Sequence, residues 1–248
     1  MGKTISDFIK SAEQSSIKEL QDWAKRIHTD KMSDLERLGT LDLPQYALFN
    51  LAYTDFNKNN RDLTDFFNRC IFDNMKFVVR AIPTNEGKKH GYTRNPRIGL
   101  KDFEESDQFL KSVIKSGEEN LWGVGITSIS PQIYGGVIIS GIKDDSGCRR
   151  FVYGELSEHL DKLTAGEEDP LASFLLDRGG LGHIENKTKW LLEKDLLAKQ
   201  LLWKCFRTYI ARGESFNPLI WEGYFEFVVT EKREFKFVDY KDNEEYLK

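Results

Sequence analysis

Residues 221–242, WEGYFEFVVTEKREFKFVDYKD, set Glu222, Glu226, Asp239 and Lys241 among aromatic and aliphatic side chains. The alternation reads as two strands joined by a charged turn. Glu222 and Glu226 are four apart, so on a strand both side chains leave one face, with Tyr224 between them. Asp239 and Lys241 share a face of the returning strand for the same reason. If the strands pair, two or three carboxylates and an ammonium line one wall. Carboxylates hold Mg²⁺ against nucleotide phosphates, and a neighbouring cation offsets part of the phosphate charge. The same alternation also fits the solvated face of an edge hairpin.

Cations concentrate elsewhere. Arg80 ends the apolar run FVVR, where a buried arginine either pairs with a carboxylate or grips an anion. The stretch KKHGYTRNPR gathers Lys88, Lys89, His90, Arg94 and Arg97 around a glycine. Backbone N–H groups and side-chain donors in such a loop can converge on phosphate. An exposed, solvated loop is the plainer reading. RGGLGH, residues 178–183, is a second glycine cluster, with no Lys–Ser/Thr pair after it.

These residues need elements to hold them. Helical spacing marks residues 4–28, and LDLPQYALFNLAYTDF (41–56) breaks at Pro44 and resumes as a second helix. RDLTDFFNRCIFDN is a third, so residues 1–75 form a mainly helical N-terminal region. KFVVRAIP is a strand stopped at Pro83, and NEGKKHGYTRNPRIG is a loop. DFEESDQFLKSVIKSG is an amphipathic helix. Strands follow in LWGVGITSI, IYGGVIISGI and CRRFVYGEL. NKTKWLLEKDLLAKQLLWKCFRTYIARG reads as the longest helix of this part, and its Trp190–Phe206 stripe as core. The hairpin closes an α+β domain over 76–248, a mixed or antiparallel sheet flanked by helices.

Composition sets bounds. The 248 residues, 40% hydrophobic and 31% charged, describe a globular protein with a substantial core. A net charge of −4 argues against coating nucleic acid, which makes a nucleic-acid role for the 88–97 loop the weakest reading. Cys70, Cys148 and Cys205 are too far apart for a zinc pattern or a disulfide framework, which points to a reducing cytoplasm. The four histidines, His28, His90, His159 and His183, have no ligand spacing. No segment reaches membrane-span length, and the MGKTIS start matches a permissive acylation pattern with nothing else pointing to a membrane.

Taken in order, these pieces resemble the ATP-grasp nucleotide-binding domain of the pyruvate phosphate dikinase and phosphoenolpyruvate synthase type. VVRAIPT echoes its RSSA-like arginine strand, and GYTRNPRIGLKDFEES its glycine loop and acidic helix. VGITSISPQIYGGVIIS is similar to the strand, hinge and GV strand that follow. YGELSEHLDKLTAGEEDP resembles the end of its GLGE stretch, with Asp161 where the ribose-binding acid falls. PLIWEGYFEF offers Pro218 and Glu222 at the spacing of its P-x-D-I-E-W element. FVDYKD puts Asp239 and Lys241 in place of its closing Q-x-R. The resemblance spans roughly residues 76–243 and lies in the order of motifs. The chain departs from the family in having no GGKG-type segment, and no phosphohistidine domain follows within it.

The resemblance implies Mg-ATP as ligand, with phosphoryl transfer to, or carboxylate activation of, a small-molecule acceptor. It implies Arg80 and Lys241 on phosphate, Lys89, Arg94, Arg97 and Asp161 on the nucleotide, and Glu222, Glu226 and Asp239 on magnesium. The second reading is a non-catalytic module that keeps the sheet, has lost the nucleotide site and binds a protein partner.

Overall fold

The computed structural model describes residues 37–46, 48–143, 149–179, 182–213 and 219–241. The helix expected over 4–28, the acylation-like start, His28, Cys148 and the centre of RGGLGH at 180–181 lie outside these residues. The architecture is α+β, as expected, with both main sheets antiparallel. The described residues divide into two compact units, Tyr46–Pro131 and the remainder.

In the Tyr46–Pro131 unit, strands β1 (Leu48–Ala52), β2 (Lys76–Pro83), β3 (Asn95–Leu100) and β4 (Trp122–Ile129) form a sheet of order β1-β4-β2-β3. Helix α1 (Arg61–Phe72) starts at Asn60, whose side chain accepts the Leu63 N–H. A helical turn, α2 (Asn85–Lys89), and helix α3 (Phe103–Val113) follow, and Asp102 caps α3 through the Glu105 N–H at 2.9 Å. Alternate residues Phe77, Val79 and Ala81 join Val124 and Ile126 under these helices, with the Phe67 ring 4.5 Å from Phe77. Each fully buried side chain of this kind contributes roughly 1.5–3 kcal/mol.

Residues 48–52, expected as helix, are strand. Phe49 and Leu51 supply a period-two apolar pair, and pairing from Leu48↔Thr127 to Ala52↔Gly123 satisfies the backbone across the sheet. The boundary expected at residue 75 falls inside this unit. The 85–99 loop also carries structure, since α2 and β3 occupy most of it.

The other unit holds β5 (Gln132–Lys143), β6 (Arg149–Ser157), helix α4 (Leu160–Ala165) and β7 (Ala172–Asp177). A short α5 (Ile184–Lys187), β8 (Thr188–Glu193) and helix α6 (Leu196–Cys205) come next, followed by a π-turn over Phe206–Ile210. Strands β9 (Ala211–Arg212) and β10 (Leu219–Ile220) pair with each other, and β11 (Gly223–Thr230) and β12 (Phe235–Lys241) complete the unit. The main sheet runs β12-β11-β5-β6-β7-β8. The long helix expected over 187–212 is therefore divided. Residues 188–193 pair with β7, and Asp195 then caps α6 by accepting the Ala198 N–H at 2.7 Å. One sheet face packs Ile138, Val152, Phe174, Phe225 and Phe237 with Leu202 and Phe206 of the α6 region.

The hairpin β11–β12 forms as the sequence predicts, with one irregularity. Glu226 pairs with Asp239, but Phe227 pairs with Phe237, so Val238 is an extra residue in β12. This β-bulge reverses the alternation. Phe235 and Phe237 lie on the core face, whereas Asp239 and Lys241 turn to the opposite one.

Candidate functional site

The face of the six-stranded sheet opposite the helical core carries the chemistry. Register places Asp239, Glu226, Val137, Glu155 and Ser173 in one row across β12, β11, β5, β6 and β7. The next row is Lys241, Tyr224, Ile139, Tyr153 and Leu175. Most of these polar groups are withdrawn from solvent, with Asp239 3%, Lys241 4%, Glu155 0% and Tyr224 1% exposed. A solvated hairpin face would not bury a carboxylate and an ammonium to this extent.

Two Tyr-x-Glu pairs organise the face. The Tyr224 hydroxyl donates to Glu226 Oε1 at 2.8 Å, and the Tyr153 hydroxyl to Glu155 Oε2 at 2.8 Å. Burial pushes the Tyr224 phenol well above its ordinary range, reinforced by the charge of Glu226, the hydrogen bond to it, and the charges of Asp239 and Glu155. The phenol therefore remains a donor. Asp239 Oδ1 accepts the Tyr240 N–H at 3.1 Å, which fixes one side of that carboxylate.

Helix α4 packs on the same face. A Cβ at Gly135 would stand 2.4 Å from Leu160 Cβ and 2.7 Å from its backbone, so only glycine admits the helix here. Beside α4, the Ser157 hydroxyl donates to Glu168 Oε1 at 2.5 Å, and Glu168 Oε2 lies 2.9 Å from His159 Nδ1. Glu158, His159 and Glu168 bring one ligand atom each within 4.8 Å of one another. Burial raises the Glu168 carboxyl, but hydrogen bonds from Ser157 and His159, with the charges of His159 and Lys162, outweigh it and hold the group below its usual range.

Of the residues singled out in the sequence, Glu226, Asp239 and Lys241 come together. Glu222 precedes β11, which begins at Gly223 with φ +141°, and its carboxylate lies 3.6 Å from Arg178 Nη1. Asp161 is exposed in the first turn of α4.

In the Tyr46–Pro131 unit, Arg80 is 9% exposed and its Nη1 donates to Thr127 Oγ1 at 2.8 Å. Arg80 stands opposite Pro96 and Gly125, whereas Arg97 stands opposite Val79. The two arginines thus leave opposite faces of the sheet. Arg94 and Arg97 are exposed, and Lys89 pairs with Glu86 at 3.3 Å.

Sequence reasoning passed over Glu155 and Tyr153, and placed Tyr224 only as the residue between two acids. Their signal is the repeated Tyr-x-Glu, YGE at 153–155 and YFE at 224–226, each in an otherwise apolar strand.

No family model matches the chain, and no curated protein does. Solved structures similar to parts of it include the macrocyclase MdnC bound with precursor peptide MdnA from Microcystis aeruginosa MRC, at 12% identity and TM-score 0.37, covering 85% of this chain and 51% of that one. Another is N5-carboxyaminoimidazole synthase from Aspergillus clavatus in complex with ADP and 5-aminoimidazole ribonucleotide, at 9% identity and TM-score 0.41, covering 89% and 45%. A third is D-alanyl-alanine synthetase A from Vibrio cholerae O1 biovar eltor str. N16961, at 9% identity and TM-score 0.39, covering 92% and 62%. The chain spans about half to three fifths of the length of these proteins. Among the described residues, no helix is long and apolar enough to cross a membrane.

Proposed function

We propose that the chain is an ATP-grasp-like protein that binds Mg-ATP on the acid face of its six-stranded sheet, for phosphoryl transfer or carboxylate activation. One observation carries this reading: Asp239 lies directly opposite Glu226 with Lys241 in the adjoining row, and Asp239 and Lys241 are almost fully buried. Two carboxylates facing each other across paired strands repel, and a sheet built for stability alone would avoid the pairing. Lys241 in the next row offsets part of that repulsion, and a divalent cation between the two acids would offset more.

The donor set fits magnesium. Both groups offer hard oxygen, and neither histidine nor thiolate stands in these two rows. Glu226 and Asp239 would hold the ion, and bound magnesium would neutralise charge on the nucleotide phosphates. Lys241 supplies a fixed positive charge to a phosphate oxygen. Burial of these groups excludes water and strengthens each electrostatic contact.

Calorimetric titration with Mg-ATP tests the reading. Asp239→Asn keeps the shape and removes one charge, and it should weaken Mg-ATP binding at least about tenfold. Metal-free stability should stay unchanged or rise as the repulsion is relieved. With Mg-ATP at 100 times its dissociation constant, the wild-type protein should gain ~2.7 kcal/mol of stability. Absence of binding by the wild type would overturn the proposal.

The hydrogen bonds from Tyr224 and Tyr153 favour a second reading, a module without a nucleotide. In that case phenols already serve Glu226 and Glu155, and the polar layer specifies the sheet. Asp239→Asn would then lower stability and alter no ligand affinity.

A further inference from the structure

Tyr224 is among the most enclosed polar groups of the acid face, and it reaches one of the two acids assigned to the metal. Its hydroxyl donates to Glu226 Oε1 at 2.8 Å from a ring that is 1% exposed. The tyrosine and the glutamate are i and i+2 on one strand, so both rise from the same face, and the bond runs along β11. Lys241 lies opposite Tyr224 and Asp239 opposite Glu226, which puts the phenol at a corner of a four-residue rectangle across β11 and β12. The ring is almost fully buried.

We propose that Tyr224 is a positioning residue for the Glu226 carboxylate. This rests on the metal-site reading above and extends it. A glutamate carries three side-chain torsions, and on a strand its carboxylate sweeps a wide arc. The buried phenol fixes one oxygen, and with it the plane of the group, before any cation arrives. A metal then finds a carboxylate already oriented, and binding does not have to arrest it. The Tyr153–Glu155 pair has the same geometry two strands away, but its acid has no carboxylate opposite it, since Glu155 faces Val137 and Ser173. It is therefore the internal control.

The test compares Tyr224→Phe with Tyr153→Phe. Each substitution removes only a hydroxyl and keeps the ring. Affinity is measured by calorimetry for Mg-ATP and, separately, for ATP in the presence of a chelator. Tyr224→Phe should weaken Mg-ATP binding about tenfold and leave metal-free ATP binding unchanged. Tyr153→Phe should leave both within about twofold of the wild type.

A purely structural hydroxyl would lower the melting temperature and leave the magnesium-dependent part of the affinity intact. Equal losses with and without magnesium, or equal effects of the two variants, would also overturn the inference. If wild type and Asp239→Asn differ in Mg-ATP affinity while Tyr224→Phe does not, only the positioning role fails. If the wild type itself binds no Mg-ATP, both readings fall together.

Discussion

The two sheets solve one construction problem with opposite chemistry. Each packs an apolar core on one face and carries polar groups on the other. In the four-stranded sheet that polar face holds Arg80, with Thr127 accepting its N–H and Gly125 and Pro96 directly beside it. In the six-stranded sheet it holds three acids, two phenols and a lysine in two register-matched rows. A buried guanidinium that donates to a hydroxyl between small neighbours fits a structural role. Facing carboxylates fit one less simply, because like charges directly opposite each other repel. Both arrangements are buried, so burial alone does not separate them. What distinguishes the second face is two carboxylates set opposite each other with an ammonium in the next row.

The largest effect that sharpens this contrast is expected at Gly135. Any Cβ there meets the Leu160 backbone, so Gly135→Ala must displace α4 from the acid face. Thermal and denaturant unfolding should show a loss of about 3 kcal/mol, at the upper end for overpacking. A change below about 1 kcal/mol would mean that α4 shifts freely and does not define the face. A smaller loss is expected on the cationic side. Arg80→Ala removes a charge-assisted hydrogen bond and the packing of the side-chain stem, and should cost about 2 kcal/mol. If it left stability intact and instead weakened binding of an anion, Arg80 would be a ligand-gripping residue and the contrast between the sheets would dissolve.

The smallest effect concerns Glu168, held by Ser157 and His159. Its carboxyl titrates below its usual range in the folded chain, so the stabilisation is complete above the unfolded value, near ~4.3. It is lost as pH falls through the folded value. The stability difference between wild type and Glu168→Gln should be within about 1 kcal/mol at neutral pH. In melts taken across pH it should stay flat down to about 5 and vanish in stronger acid. A difference that instead grew on acidification would contradict the assigned direction.

Local pattern made much of this legible. KFVVRAIP is strand β2 residue for residue, and RDLTDFFNRCIF is α1. The hairpin was visible in its alternation, and Asp239 and Lys241 do share a face. The elements that sequence misassigned depend on partners remote in the chain. LFNLA becomes β1 because β4 offers an edge, and TKWLLE becomes β8 because β7 does. Both stretches are apolar enough for a helix, and nothing within them reports the neighbour. Glu155 stayed hidden for the same reason. Its row is defined by register across five strands, which no local window contains. Glu222 stands outside the register-defined rows because the strand begins one residue after it, at a glycine with positive φ.

The bulge at Val238 has a consequence for how such a chain can change by inheritance. With Phe227 paired to Phe237 and Glu226 to Asp239, the hairpin absorbs Val238 without changing which side the last strand's charges occupy. Deleting that single codon would restore strict alternation and leave Asp239 opposite Glu226 and Phe237 opposite Phe227. Pairing Val238 regularly, without the bulge, would instead send Asp239 and Lys241 towards the face of Phe235 and Phe237, into an interior that cannot hold them. The hairpin is therefore a place where descendants of this chain can lose one residue and still present the same faces.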